Sequence, residues 1–169
     1  MTRVRLAASL QCHVMTSREK TPWVRSNSSR RDDSSDPAIG ALTELLQSER
    51  ATALADDPEL VEERDPGRVW LLWFAIGATD AICNLVQRDA DAQRNQVFRQ
   101  AVSVIFDGSG QSLHGHQADM ATADARLIEL FESAGAAAVQ ACMAGDKRLG
   151  YYREALRVSA DQGLPPLLS

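Results

Sequence analysis

Trp73, Asp80 and Asn84 are the polar side chains whose spacing suggests a site within an otherwise apolar segment. A helix advancing 100° per residue gathers them, with Gly77, within about 60° of one another. Asp80 and Asn84 form an i, i+4 pair, so their side chains can meet. A carboxylate, an amide and an indole N–H beside a glycine that admits close approach describe a slot for a ligand or a partner. The same seam has a structural reading. It faces solvent, or Asp80 pairs with an arginine of a neighbouring helix, because buried carboxylates find such partners. That is the usual pattern for a polar seam on a core helix. Trp73, Asp80 and Asn84 stand as the candidate ligand- or partner-binding residues.

His114-Gly115-His116 with Asp119 is the second cluster. Histidine and aspartate ligate zinc or nickel. The third histidine, His13, lies far away near the start of the chain. A catalytic zinc usually takes three protein ligands with supporting hydrogen bonds. The expectation is therefore a solvated loop, with no metal and no cofactor.

Catalytic spacing is otherwise sparse. The chain has no GxSxG, HExxH, Walker loop or dinucleotide fingerprint. Gly108-Ser109-Gly110 follows a helical pattern, whereas a phosphate cradle follows a strand. Cys83 and Cys142 sit in apolar helical patterns and are expected to be buried, inert thiols. Glu129 and Glu132 have the i, i+3 spacing of a solvated helix face, not the Glu-x-x-His of di-iron bundles.

Five helical patterns must position these groups. The first starts at Asp36-Pro37, an N-cap followed by proline in the first turn, and fades near Ala55. Asp56-Asp57-Pro58 and Asp65-Pro66-Gly67 read as breaks. The second spans about residues 68–88, and its apolar residues cover most of the circumference, so it is expected at the centre of the bundle. The third spans about 92–107, with Val97, Phe98, Ala101, Val102, Ile105 and Phe106 on one stripe. The fourth spans about 117–144, ended by Gly145 in a left-handed conformation. The fifth is expected to be capped by Asp146, with Leu149, Tyr152, Leu156 and Ser159 on one side.

Composition agrees with helices. The 169 residues are 44% hydrophobic and only 5% aromatic, with alanine, a strong helix former, abundant. Net charge is −5 but unevenly placed. Residues 1–31 hold seven basic residues and one acid, and the remainder is strongly acidic. Such a body repels phosphate backbones, so no nucleic acid is expected to bind it. Residues 1–35 lack periodicity and are rich in Arg and Ser, which predicts a disordered basic leader. It reads as a translated upstream stretch, a basic tail or a transit segment. Three cysteines without CxxC spacing point to a reducing compartment.

The expectation is an all-α, single-domain bundle of about five helices. The leader covers 1–35, the helical domain 36–162 and a flexible tail 163–169. The functional expectation is a soluble, cytoplasmic, non-enzymatic interaction module of regulator, adaptor, immunity or chaperone type. Its partner is another protein or a second copy of the chain. Two alternatives stay open. One is an enzyme assembled around Asp80 and the loop 114–119. The other is membrane association through residues 69–86, whose 18 residues approach the roughly 20 needed to cross a bilayer.

Overall fold

The computed structural model describes residues 36–106 and 123–163. The expectations for the leader 1–35, the loop holding His114, His116 and Asp119, and the end of the tail fall outside these residues. The described residues form six α-helices and no strand.

Local signals start and stop most of them. Helix α1 (Pro37–Asp56) opens where Asp36 accepts the Ala38 N–H at 3.0 Å, with Pro37 in the first turn. The Asp57-Pro58 pair, read above as a break, breaks one helix and begins another. Asp57 accepts the Leu60 N–H at 3.2 Å and opens α2 (Pro58–Arg64). This short helix raises the count from five to six. Helix α3 (Val69–Leu85) lies within the second predicted span, and helix α4 (Asp91–Phe106) matches the third to within one residue at each end. Helix α5 (Ala125–Met143) starts later than predicted, because Asp124 accepts the Arg126 N–H at 2.8 Å and caps it there. Gly145, at φ 81°, follows its end as expected.

Helix α6 (Tyr151–Asp161) corrects one expectation. Asp146 does not cap it. It accepts the Arg148 N–H in a local turn at 3.0 Å, and the helix begins after Gly150, at φ 111°. Leu149 therefore lies outside the helix and is 46% exposed, whereas Tyr152, Leu156 and Ser159 are buried as predicted.

One apolar core draws on all six helices. Helix α3 packs on α1, α4 and α5, and its contact with α5 is the most extensive among the described helices. Trp70 stacks on Phe131 with ring centroids 5.2 Å apart, and Phe74 meets Tyr152 edge-on at 5.9 Å. Glycines let the two backbones touch. A Cβ on Gly77 would overlap the Glu132 carbonyl, and one on Gly135 would overlap the Phe74 carbonyl. The arc of α3 is wide, as the sequence predicts, but it ends early. Leu85 and Val86 are exposed, because the helix stops at Leu85 and the chain turns away at Gln87, φ 58°; Ile76, in mid-helix, is only partly buried. Among the described residues no helix is long and apolar enough to cross a membrane.

Candidate functional site

The seam on α3 is brought together by an arginine of α4. Arg94 Nη1 donates to Asp80 Oδ1 at 3.0 Å, and Nη2 donates to Asn84 Oδ1 at 2.7 Å. Its Nε donates to the Arg88 carbonyl at 3.2 Å. The fork thus holds the C-terminal half of the seam and the turn after α3. Asp80 remains open to water, with 54% of its side chain exposed, so this pairing is a surface clamp. Arg88 extends the chain of contacts. It grips both oxygens of Asp36 at 2.6 and 3.0 Å and ties the start of α1 to the end of α3. Burial pushes the Asp36 carboxyl up, but the Arg88 fork and the Ala38 N–H outweigh it and hold the group below its usual value.

Trp73 lies apart from this clamp. It is half-buried, and its buried Nε1 has no hydrogen-bond partner among the described residues. Between Trp73 and Asp80 the face of Gly77 is filled by the α5 backbone at Glu132. The close approach that glycine permits is thus taken by a neighbouring helix. Glu132 is also half-buried. Burial, then the charge of Asp80, pushes its carboxyl up.

Two carboxylates that the sequence reading did not single out do more structural work. Asp65 lies four residues ahead of α3 and is fully buried. Its Oδ1 accepts the Trp70 N–H at 3.0 Å and its Oδ2 the Leu71 N–H at 2.9 Å. These are otherwise orphan donors at a helix N-terminus, where negative charge is also favoured by the helix dipole. Arg68, the residue before the helix, sits at φ 60° and offers no side-chain cap. Its guanidinium instead lies 5.3 Å from the centre of the Phe106 ring.

Glu49 plays the same part for α6 from a distance of 101 residues along the chain. It accepts the Gly150 N–H at 3.0 and 3.1 Å and the Tyr152 N–H at 3.0 Å, with no exposed surface of its own. Tyr152 joins the two caps, because its hydroxyl donates to Asp65 Oδ2 at 2.5 Å. Burial raises both carboxyls, against the opposing pull of these hydrogen bonds, and pushes Asp65 up to about 6. Burial and the neighbouring Asp65 push the Tyr152 phenol well above its ordinary value. With every carboxylate oxygen accepting from the protein's own N–H and O–H groups, the trio works as an internal brace.

The signal for Glu49 was present in the sequence. Leu42, Leu46, Glu49 and Ala53 share one helical stripe, and an acid inside an apolar stripe implies a buried partner. Asp65 gives no such signal, since a cap is sought next to the helix and not four residues upstream.

Comparison with protein-family models, curated proteins and solved structures found no match.

An open groove remains. Helices α1 and α5 each pack on α3 but not closely on one another, and α6 fills only one end of the gap. At the other end Leu45, Ile82, Val139 and Met143 line a depression bounded by the turn 146–149, with Leu149 exposed beside it. Cys142 also lines it and is exposed, contrary to expectation, because it lies on the solvent side of α5; Cys83 is buried as expected. Among the described residues no group of three or more His, Cys, Asp or Glu could hold a metal.

Proposed function

We propose that this chain is a non-enzymatic helical interaction module that docks a partner in the groove between α1 and α5. The observation that carries this reading is the groove itself. Its lining is mainly apolar, no element of the described chain covers it, and Leu149 is left 46% exposed at its edge. A second consideration supports it. The buried carboxylates are committed to bracing helices, and the Asp80–Asn84 pair is committed to Arg94. The cytoplasm suits this module, because Cys83 and Cys142 are free thiols and Cys142 is exposed.

The test is apolar-probe binding to the dilute, full-length protein. An anilinonaphthalene sulfonate should brighten on the native wild type, and Leu149→Asp should remove most of the gain. Near-UV circular dichroism would confirm that both proteins are folded. A dark wild type, or brightening indifferent to Leu149→Asp, would refute the groove as the docking surface.

A further inference from the structure

The groove has the properties of a surface that complements itself. In a two-fold interface one patch meets its own copy, so the patch must hold both a knob and a hole, and both signs of charge. Leu149, exposed at the edge, is the knob. The depression over Ile82 and Val139, between Leu45 and Met143, is the hole. The charges divide across the walls. The α1 wall carries Glu44, which is exposed and has no ion pair among the described residues. The opposite wall carries Asp146, Lys147 and Arg148. Asp146 and Arg148 neutralise each other through a forked contact at 2.7 and 2.8 Å, and Arg148 holds Asp146 below its usual value. Among the described residues Lys147 is left as the unpaired charge of that wall.

We propose that this groove is the contact surface of a two-fold dimer of this chain, with Leu149 of each copy seated in the other's groove and Glu44 of each facing Lys147 of the other. The proposal rests on the groove being a docking surface and names its occupant. A partner of uniform charge would meet repulsion on one wall. A second copy satisfies both walls at once, because rotation about the two-fold exchanges them. An isologous contact also forms each ion pair twice, so a weak rim interaction is doubled.

Sedimentation of the full-length chain across a range of concentrations tests this. The wild type should show a monomer–dimer equilibrium. Leu149→Asp should weaken it about tenfold or more, from the loss of a buried leucine. Glu44→Lys and Lys147→Glu should each weaken it by about three- to tenfold, because each reversal puts like charges together at two places. The double reversal Glu44→Lys with Lys147→Glu should recover the wild-type affinity to within about twofold. All three residues are exposed, so at concentrations where the wild type is monomeric each variant should keep the wild-type melting temperature. A chain that stays monomeric at every concentration overturns the proposal. If that monomer still brightens the apolar probe, the docking surface survives and its occupant is a different chain. If it leaves the probe dark, both readings fall. A dimer indifferent to Leu149→Asp, or one whose double reversal is weaker than either single reversal, also overturns the proposal.

Discussion

The Tyr152 hydroxyl donates to Asp65 at 2.5 Å, and 87 residues of chain separate the two. Through this one bond the cap of α3 and the cap of α6 become a single unit, because the Tyr152 backbone N–H is held by Glu49. Tyr152→Phe keeps the ring against Phe74 and Phe131 and removes only the donor. A hydrogen bond to a charged group contributes about 1.5–3 kcal/mol, so Tyr152→Phe should destabilise by roughly that amount at neutral pH. Chemical denaturation of the two proteins measures it. A change below about 0.5 kcal/mol would mean that Asp65 holds its own proton and does not need the donor.

The same pair predicts an unusual pH dependence. Asp65 titrates at about 6 in the fold against an ordinary 3.8. A carboxyl raised in this way binds its proton more tightly when folded. Its stabilising contribution is fully present below pH 3.8 and is lost as pH rises through 6. The difference corresponds to about 3 kcal/mol at most. Glu49 is raised too and acts in the same direction. Asp36, which is lowered, acts in the opposite one, so the comparison must be with a variant. Wild-type stability relative to Asp65→Asn should fall between about pH 4 and pH 6 and level off above it. A relative stability that rises over this window would show that the hydrogen bonds to Asp65 outweigh its burial.

Removing either carboxylate should separate structural from surface acids. Glu49→Ala leaves buried N–H groups at the start of α6 without an acceptor, and one such group costs about 1–3 kcal/mol. Asp80→Ala breaks an exposed ion pair and should cost less than about 1 kcal/mol. Thermal melts at neutral pH should rank Glu49→Ala well below Asp80→Ala. The reverse order would contradict the burial of one and the exposure of the other.

The crossing of α3 and α5 depends on two missing side chains. Gly77→Ala and Gly135→Ala each place a methyl group against backbone that cannot swing aside, so each should cost at least about 1–3 kcal/mol. Gly40→Ala is the control. It lies within α1 with open space around it, and a helical glycine replaced by alanine gains about 0.5–1 kcal/mol. Melting temperatures should therefore move in opposite directions. Equal losses at all three positions would dismiss the close helix approach.

Helix-forming patterns were legible in the sequence because they depend on near neighbours. Asp36-Pro37 marks the start of α1, and Gly145 follows α5, by interactions spanning a few residues. The wide apolar arc of α3 was likewise enough to place it at the centre, since such a surface has to be covered. Partnerships across the chain were decided only by tertiary structure. Arg94 reaching Asp80, Glu49 capping α6 and Tyr152 closing on Asp65 join residues whose spacing in sequence does not say which partner each will meet, even where it implies that there is one. The groove is a property of the same kind. Leu45, Ile82, Val139 and Leu149 each read as ordinary apolar positions. Only the way α1 and α5 lean on α3 without closing on each other leaves part of that surface uncovered by the described residues. Local propensity acts over one helical turn, whereas packing fixes which surfaces remain open, and that depends on all six helices together.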